Sequence, residues 1–176
     1  MGNVDGTDAD TDLSPRGYEQ ARQLATALEA IAFDAVWTSP LSRARRTAAL
    51  ALPGASPIVD ERIVEFRPGP PVQFIDASSL DFGGLPVPSA APAYGPIESG
   101  KEFMARVNAW LAELPTGRVI AFTHAGVVRE ILAMFVGFRN APQKIPHASV
   151  YRLDLDAGAP RAVLWWEPPC EGVAQS

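Results

Sequence analysis

Two short stretches of the chain hold side chains suited to acting on an anion. In Ser39–Ala48, Arg43 stands where an apolar strand gives way to a helix. In Thr123-His124-Ala125-Gly126, a histidine ends another strand and two small residues open the next helix. A guanidinium, an imidazole and the free N–H groups of a helix N-terminus are all groups that bind phosphate. The pattern therefore predicts a phosphate site that contains Arg43, His124 and the backbone after His124.

The segments around these stretches alternate between helical and extended patterns. Ser14-Pro15 supplies an N-cap and a first helical residue, and apolar residues then recur at helical spacing as far as Ile31. Further helices are predicted over about 40–51, around the inner-face residues Phe103 to Leu114 with an end near 115, and over 127–136. Strands are predicted at 35–38, 58–59, 118–123, 150–155 and 162–166. This alternation predicts an α/β fold in which a mostly parallel central sheet is flanked by helices on both faces.

Composition narrows the class of protein. The chain has 176 residues, of which 47% are hydrophobic, and this size predicts one domain over 1–176 with a single core. A net charge of −5 argues against a nucleic-acid surface. No apolar run approaches the ~20 residues that span a bilayer, so we expect no membrane partner. Cys170 is the single cysteine, which excludes an internal disulfide and favours a cytoplasmic protein.

Two segments lack a periodic pattern. Residues 67–97 hold seven prolines and four glycines, and we interpret them as a lid or excursion over the site. Residues 1–13 form a polar lead-in that is rich in aspartate. Asp8, Asp10, Asp12 and Glu19 match part of a calcium-loop spacing. Leu13 occupies the position that requires glycine, however, so we expect a solvated acidic loop and no bound metal.

Taken in order, these motifs resemble the histidine phosphatase superfamily, whose fold is that of phosphoglycerate mutase. The resemblance begins at Leu13–Ala21, which matches the family's Leu-Ser/Thr-x-x-Gly-x-x-Gln-Ala signature. It continues through Ser39–Ala48, Ile63-Val64-Glu65, the helix with Arg106-Val107, and Thr123–Arg129. It therefore covers most of the chain.

The resemblance implies a role for each matching residue. Arg43 corresponds to the arginine that clamps the phosphoryl group, and its planar fork can hold two oxygens at once. His124 corresponds to the family's second histidine, which stabilises charge in the transition state. Glu65 falls where the family places its proton donor. Asn3 matches an asparagine near the phosphate, and no cofactor is implied.

Other positions are less informative or depart from the family pattern. Phe66 stands where mutases of the family carry an arginine, which favours a phosphatase over a mutase. His147 lies where relatives often have asparagine, and we expect it at the periphery. Arg45 and Arg46 are expected to be solvated, and the role of Glu98 stays open.

The resemblance also implies a phosphohistidine intermediate, formed on a histidine in an Arg-His-Gly motif. No such motif occurs in the sequence, whose two histidines are His124 and His147. We therefore expect the chain as written to lack the nucleophile and to be inactive. Either the true protein begins upstream and hydrolyses a small phosphate monoester, or the chain is a binding module for a phosphorylated ligand. The retention of Arg43, Glu65 and His124 favours the first. The sequence identifies neither the substrate nor the oligomeric state.

Overall fold

The computed structural model describes residues 10–67, 98–155 and 160–169. Asn3 and all but the first residue of the predicted 67–97 excursion lie outside these ranges. In chain order, the elements are α1 (Pro15–Leu28), β1 (Ala35–Thr38), α2 (Ser42–Ala51), β2 (Ile58–Val59), a 3-10 helix (Glu61–Ile63), α3 (Gly100–Ala112), β3 (Val119–Phe122), α4 (Ala125–Val136), β4 (Val150–Asp154) and β5 (Arg161–Trp166).

Local signals in the sequence set the ends of the helices. The Ser14 hydroxyl accepts the Gly17 N–H at 3.1 Å, and Pro15 opens α1 with a backbone angle already suited to a helix. Ser99 and Glu102 form a reciprocal capping box at the start of α3. Gly137 follows α4 with a φ of 85°, a conformation that glycine adopts without steric cost.

The strands form one parallel sheet and one antiparallel pair. The order of the parallel sheet is β2-β1-β3, with Trp37 of β1 opposite Ile58 on one side and Ala121 on the other. Strands β4 and β5 pair with each other in antiparallel fashion. The predicted alternation of helices and short parallel strands is thus confirmed.

Two clusters of side chains cover the two faces of the parallel sheet. On β1, Trp37 packs in the cluster with α3 and α4, whereas Val36 packs in the cluster with α1 and α2. On β3, Ala121 and Phe122 divide between the same two clusters. Because successive strand residues point to opposite faces, this division places helices on both sides of the sheet. The predicted fold class is confirmed.

Two predicted helix starts differ from the structure by two residues. Helix α2 begins at Ser42 and not near 40, because Leu41 has an extended backbone and serves as the N-cap. Helix α4 begins at Ala125, directly after His124. Among the helices within the described ranges, none combines the length and apolar character required to cross a bilayer.

Candidate active site

Strands β1 and β3 end side by side, and the residues that follow them form the centre of the site. Thr38 and Phe122 are the last register partners of the two strands. Ser39 comes next after β1, and its N–H donates to the Phe122 carbonyl oxygen at 2.9 Å. His124 lies two residues beyond β3 and is the N-cap residue of α4. The parallel pairing therefore brings Ser39 and His124 to the same edge of the sheet.

The imidazole of His124 is held inside the protein. Its Nε2 lies 2.7 Å from the hydroxyl of the fully buried Ser39, which also accepts the Leu41 N–H at 3.3 Å. Burial, reinforced by the positive charges of Arg43 and Arg106, lowers the pKa of His124 to about 3. The imidazole is therefore neutral near pH 7.

Arg43 lies in the first turn of α2 and is half-buried. After burial, its positive charge is the next cause of the lowered pKa of His124. Within the described part of the chain, the Arg43 guanidinium has no hydrogen bond or ion pair. By contrast, Arg45 and Arg46 are exposed, and Arg46 lies 3.6 Å from Asp12. Among the arginines of α2, Arg43 is therefore the one whose charge lowers the pKa of His124 and whose guanidinium has no partner among the described residues.

Glu65 occupies the N-terminus of α4. Its carboxylate oxygens accept the Gly126 N–H at 3.1 and 3.3 Å, and Oε1 also accepts the Phe66 N–H at 2.9 Å. A Cβ on residue 126 would collide with Glu65 Oε1, so the carboxylate can lie this close because residue 126 is glycine. The Gly126 N–H that the sequence predicts to face an anion therefore binds a carboxylate of the protein itself. Glu65 and His124 meet at one helix end.

The segment that carries Glu65 is fixed by residues to which the sequence assigns no role. Thr123 Oγ1 donates to the Ile63 carbonyl oxygen at 2.7 Å. Arg106 donates to carbonyl oxygens on the same segment and pairs with Glu98. Sequence reasoning missed these residues, together with Ser39, although Ser39 and Arg106 lie within quoted motifs.

The acidic lead-in supports α2. Asp10 accepts both the backbone N–H and the hydroxyl of Ser42, the latter at 2.7 Å, and so caps a helix that has no side-chain cap of its own. Asp12 accepts the Tyr18 hydroxyl at 2.9 Å. Across residues 10–67, 98–155 and 160–169, no group of three or more His, Cys, Asp or Glu side chains could hold a metal ion.

Comparison with known proteins assigns the family. A profile of the histidine phosphatase superfamily (branch 1) matches residues 2–168. The chain belongs to the histidine phosphatase superfamily. The adenosylcobalamin/alpha-ribazole phosphatase of Escherichia coli K12 is 28% identical over an alignment of 177 positions, gaps included. The alignment covers 92% of this chain and 83% of that protein.

Solved structures of similar fold agree with this assignment. A phosphoglycerate mutase from Thermus thermophilus is 28% identical, with a TM-score of 0.55 over 89% of this chain and 80% of that one. A candidate alpha-ribazole-5'-P phosphatase from Escherichia coli K-12 gives a TM-score of 0.64 over 93% and 87%. At 21% identity, the latter shows the fold alone.

The remaining candidate residues of this histidine phosphatase family member lie apart from that centre or outside the described ranges. Phe66 packs against Phe103, with ring centroids 5.0 Å apart, so position 66 contributes an apolar ring to the core. His147 is exposed. Asn3, Asp8 and Cys170 lie outside the described residues.

A groove of about 640 Å³ lies between the C-terminal ends of α1 and α2. It is lined mainly by apolar side chains, including Leu28, Phe33 and Leu52. None of the phosphate-binding or acid/base candidates lines it. The candidate residues of the family member lie instead where β1 and β3 end.

Proposed function

We propose that the site at the ends of β1 and β3 binds the phosphoryl group of a small phosphate monoester, clamped by Arg43 and His124. The observation that carries this proposal is the burial of the His124 imidazole where β1 and β3 end, which keeps it neutral, together with the position of Arg43 in the first turn of α2. Both side chains can donate hydrogen bonds to phosphoryl oxygens, and a phosphate dianion would balance the arginine charge. The backbone of Ala125 and the side chain of Asn3 are further phosphate ligands in the proposal, whereas the Gly126 N–H is bound by Glu65.

Glu65 is the proposed acid/base of the reaction. A general acid must lie within hydrogen-bond reach of the leaving-group oxygen, and the contact between Glu65 and Gly126 places the carboxyl group beside the helix end that follows His124. During phosphoryl transfer, Glu65 gives its proton to the leaving alcohol. It then accepts a proton from the water that hydrolyses the phosphorylated intermediate.

The family mechanism passes the phosphoryl group through a histidine of an Arg-His-Gly motif. The 176 residues contain no such motif, and His124 is the histidine of the candidate site. We therefore propose hydrolysis for a protein that carries the motif and ligand binding without turnover for the chain as written. This same observation favours the second candidate function, a binding module for a phosphorylated ligand.

A phosphatase is favoured over a mutase because Phe66 packs on Phe103 and offers no cation to a sugar acid. Given the name of the E. coli relative, α-ribazole phosphate is the first natural substrate to test. Exchange of phosphate on 3-phosphoglycerate would contradict the phosphatase assignment. The cytoplasmic location inferred from the single cysteine remains a prediction.

Calorimetry with inorganic phosphate tests the proposed clamp. Arg43→Ala should lower the affinity about 10- to 100-fold, because a hydrogen bond to a charged group is worth about 1.5–3 kcal/mol. Arg45→Ala is the matched control, since it removes an exposed arginine from the same helix and should bind as the wild type does. Equal phosphate affinity in wild type and Arg43→Ala would refute the clamp.

A turnover assay with p-nitrophenyl phosphate separates the two candidate functions. We expect the 176-residue chain to bind phosphate without hydrolysing the ester, whereas a protein that includes the motif should hydrolyse it. Turnover by the chain as written that His147→Ala abolishes would show that His147 is the nucleophile and that the assignment of the site is wrong.

A further inference from the structure

The segment from Arg62 to Arg67 carries Glu65 and has little regular structure of its own beyond the 3-10 helix. Its carbonyl oxygens therefore need partners from other parts of the protein. Arg106 Nη1 donates to the Arg62 carbonyl oxygen at 2.6 Å, and Nη2 donates to the Glu65 carbonyl oxygen at 3.3 Å. A single side chain from α3 thus holds the backbone both at Glu65 and three residues before it.

Arg106 is itself held rigidly. Its Nε and Nη2 donate to the two carboxylate oxygens of Glu98 at 2.8 and 2.6 Å, and the side chains of Arg106 and Glu98 are only 14% and 7% exposed. The guanidinium also lies over the Phe103 ring, 4.7 Å from its centroid. A planar fork with five N–H donors can make all these contacts at once, whereas a lysine ammonium cannot.

Glu98 also binds the backbone of Arg67, at the C-terminal end of the segment. Its carboxylate accepts the Arg67 N–H at 3.2 Å, and its own N–H donates to the Arg67 carbonyl oxygen at 3.0 Å. The backbone on both sides of Glu65 is therefore tied to the Glu98–Arg106 pair. The Glu65 side chain leaves this backbone to reach the Gly126 N–H.

We propose that the Glu98–Arg106 pair is the positioning unit of the Glu65 carboxyl group, and that it fixes this acid/base group against the N-terminus of α4. The proposal rests on the function proposed above, in which Glu65 transfers the proton. The Arg106 guanidinium is engaged by Glu98 and by the carbonyl oxygens of Arg62 and Glu65. Arg106 and Glu98 are both positioning residues that act through the backbone.

The amide proton of Gly126 gives a direct readout by NMR, because its chemical shift depends on the hydrogen bond to Glu65. Glu65→Ala defines the value without that bond. In Arg106→Lys, we expect the Gly126 amide to move more than half of the way from the wild-type value to the Glu65→Ala value. Arg62→Ala is the matched control. It removes an arginine whose side chain binds Asp60, Glu113 and the Ala109 carbonyl oxygen and does not contact Glu98 or Glu65 in the described structure, and it should leave the Gly126 amide at its wild-type position.

Glu98→Gln provides a second variant that preserves side-chain shape, in case Arg106→Lys does not fold. It should displace the Gly126 amide in the same direction. A wild-type Gly126 shift in a folded Arg106→Lys or Glu98→Gln would overturn the proposal. Binding of inorganic phosphate to the wild type is measured separately. If the wild type does not bind phosphate, that result counts against the proposed function and leaves the positioning result intact.

Discussion

His124 should make the stability of this protein fall as the pH drops below about 6.5. In the folded state, burial and the charges of Arg43 and Arg106 lower the pKa of His124 to about 3. In the unfolded chain, a histidine titrates near its ordinary pKa of about 6.5. Between these values the unfolded state binds more protons than the folded state. The contribution is therefore fully present above a pH of about 6.5 and is lost progressively as the pH falls towards about 3.

The magnitude follows from the distance between the working pH and the pKa of the unfolded state. Each pH unit in this window changes the free energy of unfolding by about 1.4 kcal/mol. At pH 5, about 1.5 units below the unfolded value, the loss relative to pH 8 is about 2 kcal/mol. This is a large part of the roughly 5–15 kcal/mol that stabilises a typical domain.

Urea unfolding of wild type and His124→Asn at pH 8 and pH 5 measures this loss. The asparagine amide stays uncharged at both values, so the wild type should lose about 2 kcal/mol more than the variant between them. Carboxylates with lowered pKa values, such as Glu98 and Asp60, are present in both proteins, and their effects cancel. Phosphate-free buffer is required because a bound anion would stabilise the imidazolium. Equal losses in the two proteins would refute the reasoning.

Two further substitutions test the helix ends of the site. Gly126→Ala should destabilise the protein by about 0.5–1.5 kcal/mol, because the added methyl group displaces the end of the Glu65 side chain from its hydrogen bonds at the start of α4. The cost should shrink when Glu65→Ala is present in the same chain, and an unchanged cost in denaturant unfolding would exclude Glu65 as the obstacle. Asp10→Ala should lower the free energy of unfolding by about 0.5–2 kcal/mol through loss of the α2 cap. If thermal and urea unfolding match the wild type, Asp10 does not cap Ser42 in solution.

Much of the fold was predictable because its signals are local. The capping residues Ser14 and Ser99 act on N–H groups within three positions, and Gly137 ends a helix by its own conformational freedom. The β1 strand was predictable from its four apolar or β-branched residues. The start of α2 was less predictable, because its cap comes from Asp10, 32 residues earlier in the chain. No short window of sequence contains that partner.

The candidate site shows the same difference between local signals and contacts that are distant in sequence. Arg43 and His124 were identifiable from residue type and spacing, and Glu65 from the resemblance to the family; whether they act as predicted remains a proposal. The engagement of Gly126 by Glu65 was not foreseen, since the two residues are 61 positions apart and meet only after the sheet has formed. The contacts of Arg106 with this segment could not be predicted for the same reason. Its backbone contacts at Arg62 and Glu65 lie 44 and 41 positions away.

The sequence by itself determined which segments become helices and strands and which residues could bind a phosphoryl group, because both depend on residue type and short-range spacing. Tertiary structure alone decided that His124 is buried against Ser39 and neutral. It also decided that Glu65 lies on the N-terminus of α4 and that the Glu98–Arg106 pair holds the backbone around it. The physical reason is that burial, charge proximity and hydrogen-bond geometry depend on distances between segments, and the packing of the sheet and helices fixes those distances.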